Sequence, residues 1–190
     1  YGSVAVNCNP ITKGHEYLID FARSKVDYLY VIVLENQSTS ISFSDRYELV
    51  KLVCEKKNNV IVVKGGNYVC SEFISPEYYF KENNQDLIVD FSLESFYFGN
   101  YIAPTLGITQ IFLGEEPKCK ITKQYNEHMK ETMPHYGINL TIIERTNLSN
   151  GEIISASSVR KLIKENKWSE ALNFVPSETH DYLKNVKFLN

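Results

Sequence analysis

The sequence predicts an α/β fold, a doubly wound five-stranded parallel sheet with helices on both faces and further helices at the C-terminus. Three observations predict it. Short apolar runs alternate with amphipathic stretches along the 190 residues, the order expected of βαβ crossovers. Residues 28–34 (Y-L-Y-V-I-V-L) are nearly all apolar, as a strand buried on both faces requires. Two polar motifs, at residues 7–15 and 154–160, each follow an apolar run and open an amphipathic helix.

Taken in order, residues 2–8 (G-S-V-A-V-N-C) read as the first strand, which Asn9 and Pro10 stop. Leu18, Ile19 and Ala22 then recur at helical spacing, so His15 falls in the first turn and on the inward face. Residues 28–34 form the second strand. Residues 44–57 form a helix with Leu49, Val50 and Val53 inward, and residues 60–63 the third strand. Residues 68–98 are rich in aromatics. There Phe73, Tyr78, Tyr79 and Phe80 suit either a substrate channel or, more often for mixed spacing, core packing. Residues 111–113 read as a fourth strand running into Gly114-Glu115-Glu116-Pro117, and residues 140–143 as a fifth. A helix begins near Ser157 with Val159, Leu162 and Ile163 inward, and the tail from Trp168 carries short amphipathic helices that close the flank of the sheet.

Ligands of open parallel sheets bind at the carboxyl ends of the strands, where the first motif and the Gly114 turn both lie. At Thr12 a hydroxyl can accept from exposed helix N–H groups or donate to an anion. Lys13 adds charge, and Gly14 lets a bulky ligand approach the backbone. A histidine at position 15 can donate to a phosphate whose charge grows as pentavalent phosphorus forms, an electrostatic role and not nucleophilic attack. In the second motif Ser155 and Ser157 are capping types, yet Arg160 and Lys161 follow them at once. Cations in a first turn oppose the helix dipole by about 0.3 to 1 kcal/mol each, a placement that an anion would reverse. Serine hydroxyls, backbone N–H groups and a forked guanidinium suit the β- and γ-phosphates of a nucleoside triphosphate. Gly114 and Glu115 suit a nucleobase packed on backbone amides, or an ordinary turn.

Composition bounds the rest. A chain that is 43% hydrophobic over 190 residues can bury one core, so one domain spanning residues 1–190 is expected. A net charge of −3 and a pI of about 5.9 argue against nucleic-acid binding. Phosphate binding must therefore be local. Cys8, Cys54, Cys70 and Cys119 form no C-x-x-C pair, and the histidines have no metal-ligand spacing with them. Free thiols in a reducing cytoplasm are expected, with no metal site of the protein's own. No apolar stretch reaches the roughly 20 residues of a membrane span.

Together the motifs resemble the HxGH nucleotidylyltransferase superfamily in its T-x-G-H form, with an I-S-x-S/T-x-V/I-R motif near the C-terminus. The resemblance implies a Rossmann-like fold and attack on the α-phosphate of ATP or CTP with release of pyrophosphate. It implies that Thr12 and His15 contact the triphosphate, that His15 stabilises the transition state, and that Ser155, Ser157 and Arg160 hold the β,γ end. Arg46 matches an arginine that many members carry on the helix after the second strand. A closer resemblance covers the whole chain. The runs N-C-N-P-I-T-K-G-H-E-Y-L, S-P-E-Y-Y-F-K, Y-I-A-P-T-L-G-I-T, F-L-G-E-E-P, Y-N-E-H-M and I-S-A-S-S-V-R stand in the order and at the spacing of the citrate lyase ligase family.

That resemblance implies an AMP-forming ligase. Acetate, or a similar small carboxylate, and ATP with its Mg²⁺ would give acetyl adenylate, and the acetyl group would pass to the thiol of the phosphoribosyl-dephospho-coenzyme A arm on the citrate lyase acyl carrier subunit. Asn9, Lys13, Gly14, Arg46, Gly114, Glu115, Ser155 and Ser157 are expected to bind the nucleotide, and Thr12, His15 and Arg160 to carry the catalysis. Family members usually carry a preceding region resembling an N-acetyltransferase, which residues 1–190 are expected to lack. Cys70-Ser71-Glu72-Phe73-Ile74 departs from the less acidic run the family has there. Two other readings are a nucleotidylyltransferase acting on phosphopantetheine or a mononucleotide, and a non-catalytic nucleotide-binding or carrier-docking module.

Overall fold

The computed structural model describes residues 1–37, 39–76, 87–116, 119–144 and 155–188. Five parallel strands, β1 (Gly2–Val6), β2 (Leu29–Val33), β3 (Val60–Lys64), β4 (Gln110–Gly114) and β5 (Asn139–Ile143), form one sheet in the order β3-β2-β1-β4-β5. The chain reverses direction across the sheet between β1 and β4, so the crevice outside their carboxyl ends is the switch point where such folds bind ligands. β1 is shorter than expected. Asn7 and Cys8 leave the ladder, and Cys8 takes a left-handed φ of 49° that a non-glycine residue adopts only where its surroundings hold it.

Side-chain alternation divides the core into two. Val31 and Val33 face a cluster with Val4, Val6 and Phe112, whereas Ile32 and Leu34 face a second cluster with Ile111 and Leu113. This period of two is what a parallel strand covered on both faces produces. The first face is covered by α1 (Lys13–Arg23), α2 (Phe43–Cys54) and α6 (Ala156–Lys164), through Ile19, Leu49, Val50, Val159 and Ile163. α7 (Trp168–Leu172) and α8 (His180–Asn185) add Ala171 and Leu183, so the tail closes this flank as expected. The second face is covered by α3 (Ser92–Tyr97), α4 (Ala103–Leu106) and α5 (Lys120–Thr132). α3 and α4 are joined by a π-helical segment, Phe98–Ile102.

The starts of α2 and α6 follow side-chain caps. Ser42 caps α2 by accepting from the Asp45 N–H at 3.1 Å, and Ser155 caps α6 by accepting from the Ser158 N–H at 3.2 Å. α6 thus starts one residue before the expected Ser157. The aromatic-rich stretch splits in two. Phe91 packs edge-on against Tyr125 in the second core, while Tyr68 and Phe73 meet edge-to-face on the surface, Phe73 being 72% exposed. Tyr78, Tyr79 and Phe80 lie outside the described residues. All four cysteines are free thiols. Among the described residues no helix is long and apolar enough to cross a membrane.

Arg46 is fully buried. Its Nη1 donates to the Asn7 carbonyl at 2.6 Å, the Asn7 Oδ1 at 3.0 Å and the Leu34 carbonyl at 3.0 Å, and its Nη2 to the Asn36 carbonyl at 2.9 Å. One guanidinium thereby ties the chain leaving β1 to the chain leaving β2. Each acceptor that lost this donor while buried would cost about 1–3 kcal/mol.

Glu94, in the first turn of α3, is also fully buried. Both carboxyl oxygens accept from the Cys70 N–H, at 2.8 and 2.9 Å, which holds Cys70 in a left-handed φ of 45°. Burial pushes the Glu94 carboxyl up to about 7, against the lowering effect of that N–H. Its folded value therefore lies above its unfolded one of 4.5. Between those values the folded chain binds more protons than the unfolded chain, so this group makes stability fall as pH rises. The full loss above neutrality is on the order of 3 kcal/mol, at 1.36 kcal/mol per pH unit. Denaturation followed from pH 5 to pH 8 should show declining stability in the native protein and a flatter profile in Glu94→Gln; parallel profiles for the two would contradict this.

Candidate active site

The first motif is built on the turn between β1 and α1. After Asn7 and Cys8 the chain passes through Asn9 and a cis peptide to Pro10, buries Ile11 and reaches Thr12, the N-cap of α1. Thr12 and His15 form a reciprocal capping box. The His15 N–H donates to Thr12 Oγ1 at 3.4 Å, and the Thr12 N–H donates to His15 Nδ1 at 3.1 Å. Thr12 Oγ1 also lies 2.8 Å from Nδ1. Histidine thus fills the third helical position that Glu or Gln occupies in the usual box. The Lys13 N–H donates to the Phe174 carbonyl at 2.9 Å, so the C-terminal segment braces the same turn. Gly14 follows at the second helical position, where no intrahelical carbonyl can reach its N–H. Lys13 is exposed; Gly14 and His15 are half-buried.

The second motif arrives from 151 residues away. Arg160, in the second turn of α6, donates through Nη1 to the Asn9 carbonyl at 2.7 Å. The two sequence motifs are therefore in direct contact. At the start of α6, Ser155 Oγ lies 3.0 Å from Ser157 Oγ and 2.7 Å from Ser158 Oγ, so three hydroxyls gather at one helix N-terminus. Ile154 lies outside the described residues.

The rim continues at the end of β4. Leu18 of α1 approaches Gly114, where an added Cβ would meet Leu18 Cδ2 at 3.7 Å, an ordinary contact. The protein itself thus does not demand glycine there. The Gly114 carbonyl accepts from Asn126 Nδ2 at 3.0 Å, and the Glu115 N–H extends the ladder to the Ile143 carbonyl at 2.8 Å. Pro117 lies outside the described residues.

The structure joins Thr12 to His15 in one capping box, Arg160 to Asn9 by a hydrogen bond, and Ser155 to Ser157 at the start of α6, with Gly114 beside Leu18 of α1. Arg46, expected to bind the nucleotide, is instead fully buried, with its guanidinium bonded to the exits of β1 and β2. Sequence reasoning also missed Asn7, Asn36 and Asn126, each of which fixes a strand exit. Asn126 had a signal, a polar residue among the buried Ile121, Tyr125 and Met129 on one face of α5.

The chemistry of this region suits a polyanion. Each motif opens a helix, and helix N-termini attract phosphate through unpaired N–H groups and the helix dipole. Asn9 Oδ1 is buried and has no partner among the described residues, which leaves an acceptor ready for a donor on a ligand. Cys8, although in the loop, is no thiolate nucleophile, since burial pushes its thiol far up despite the nearby Arg46. Among the described residues no cluster of three or more His, Cys, Asp or Glu could hold a metal ion.

A family model for the citrate lyase ligase C-terminal domain matches residues 1–183. The citrate (pro-3S)-lyase ligase of Haemophilus influenzae is 35% identical over 191 aligned positions, covering 96% of this chain and 56% of that protein. Its Escherichia coli counterpart is 33% identical over 189, covering 97% and 54%. The chain thus spans a little over half the length of these relatives. A crystal structure of Thermotoga maritima TmcAL bound with alpha-thio ATP superimposes with a TM-score of 0.60 at 16% identity, covering 97% of this chain and 55% of that one. At that identity the likeness speaks to the fold, and it agrees with the parallel α/β sheet. The model match over nearly all of its length makes this chain a member of the citrate lyase ligase C-terminal domain family.

Proposed function

We propose that this chain is the adenylating part of an ATP-dependent, AMP-forming ligase that activates acetate and acetylates the thiol arm of the citrate lyase acyl carrier subunit. The observation that carries the reading is the Arg160–Asn9 contact, which links α6 to the loop that leads into the T-x-G-H turn and so supports a triphosphate site shared by the two motifs. Family membership and the ligase names of the relatives support it. ATP fits the residues present, with hydroxyls and N–H groups for its phosphates and the buried Asn9 Oδ1 for a hydroxyl, amino or water donor that accompanies it.

In this reading an acetate oxygen attacks the α-phosphorus in line, the P–O bond to the β-phosphate breaks, and acetyl adenylate and pyrophosphate form. No general base is needed, because a carboxylate is already ionised at neutral pH. His15 donates to the α-phosphate oxygen as charge builds there, and Lys13 and the Gly14 N–H add positive potential. Ser155, Ser157 and Arg160 hold the β,γ end, and Gly114 with Glu115 offers a backbone edge to adenine. Arg46 serves by holding the Asn7–Asn9 loop in place. Mg²⁺, bound with the triphosphate and not by a carboxylate cluster of the protein, would neutralise the leaving pyrophosphate. In the second step the carrier thiol attacks the acetyl carbonyl and AMP leaves.

Exchange of labelled pyrophosphate into ATP tests this directly. The chain should catalyse exchange that depends on acetate or another short acid; exchange that ignores acids but responds to phosphopantetheine would instead indicate a dinucleotide-forming enzyme, and ATP binding with no turnover at all a binding module. His15→Ala should lower the exchange rate by roughly 100-fold or more with a smaller change in ATP affinity, since the lost donor acts on developing charge. An unchanged rate would remove His15 from the chemistry. Calorimetry on Arg160→Ala should find ATP binding weakened more than AMP binding, whereas equal losses would place Arg160 away from the β,γ end.

A further inference from the structure

We infer that Thr12 is a positioning residue that acts through His15, setting the imidazole as its Nε2–H tautomer and aiming that N–H before any nucleotide arrives. The inference starts from a backbone N–H, which can only donate. The Thr12 N–H points at His15 Nδ1 at 3.1 Å, so Nδ1 presents its lone pair and carries no proton. The hydroxyl agrees. Thr12 Oγ1 accepts from the His15 N–H at 3.4 Å and lies 2.8 Å from Nδ1, which directs its own hydrogen at the same lone pair. With Nδ1 held by two donors from one residue, the ring hydrogen sits on Nε2. Both hydroxyl bonds also close the first turn of α1, so ring orientation and helix start are set together.

The consequence deepens the adenylation reading, on which it rests for its kinetic part. A histidine that stabilises a phosphorane must offer a hydrogen and not a lone pair at the nitrogen facing the anion. A ring free to exchange tautomers would spend part of its time offering the wrong one. Thr12 is 1% exposed, so its hydroxyl is committed to the turn and to the ring. This distinguishes it from a residue whose task is to touch the triphosphate.

The test is nitrogen-15 NMR of the ligand-free protein labelled at histidine, with the His15 signals identified by their loss in His15→Gln. The wild-type protein and Thr12→Ser should both show the Nε2–H pattern. Thr12→Val, which deletes both hydroxyl bonds while keeping the volume and the backbone N–H, should retain the Nε2–H pattern but broaden the His15 ring signals as the ring loses its fixed orientation. It should also lower kcat for acid-dependent exchange about ten- to a hundredfold while the KM for ATP changes less than about threefold, and Thr12→Ser should restore the rate. An Nδ1–H pattern in the wild-type protein overturns the inference. So does a Thr12→Val protein whose His15 ring signals are as sharp as in the wild type and whose loss lies in the KM for ATP. Should Thr12→Val fail to fold, the wild-type and Thr12→Ser spectra decide. Because the spectra need no turnover, a protein with the expected tautomer and no exchange would refute the adenylation reading alone.

Discussion

The loop that leaves β1 is held between two guanidinium groups, and the arrangement of the site depends on that grip. Arg46 bonds Asn7 and the exit of β2 from within the core, and Arg160 reaches from α6 to the Asn9 carbonyl. Neither arginine meets a carboxylate in these bonds. Backbone carbonyls, with the Asn7 Oδ1, accept from them instead. The turn carrying Thr12, Gly14 and His15 thus starts from a fixed point, with a left-handed Cys8 held in place.

Much of the fold was legible because parallel strands buried on two faces must be apolar along their buried length, and residues 29–33 and 111–113 satisfy that rule. Strand ends were less legible. Where β1 stops depends on Arg46 drawing Asn7 out of the ladder, a contact 39 residues away. The sequence did carry one unused sign of it, since Arg46, Leu49, Val50 and Val53 stand at the spacing of one helix face and all four are buried. The start of α6 moved from Ser157 to Ser155 as its cap for a local reason, the Ser155 hydroxyl capturing the Ser158 N–H.

The candidate site was legible at the level of motif and not of bonding. T-x-G-H announces a helix start and an anion, but spacing alone cannot say that Thr12 turns back onto His15 Nδ1. The bonds that Asn126 and the Phe174 carbonyl make were hidden for another reason, although Asn126 itself stands out as a polar residue on the buried face of α5. Each bond supports a rim residue from a distant segment, and no local pattern encodes it. The site's groups are mostly neutral donors, namely backbone N–H groups, serine hydroxyls and an imidazole, with charge supplied by Lys13 and Arg160. In the adenylation reading proposed above, such a set would act on charge that appears only in the transition state.

The central claim is that the ends of this chain form a single grip on one triphosphate. A crystal structure with a non-hydrolysable ATP analogue tests it most directly. The account predicts the α-phosphate within hydrogen-bond reach of His15 Nε2 and the Gly14 N–H, with the β- and γ-phosphates against Ser155, Ser157 and Arg160. A triphosphate bound at only one of these two helix ends, or elsewhere on the sheet, would contradict it.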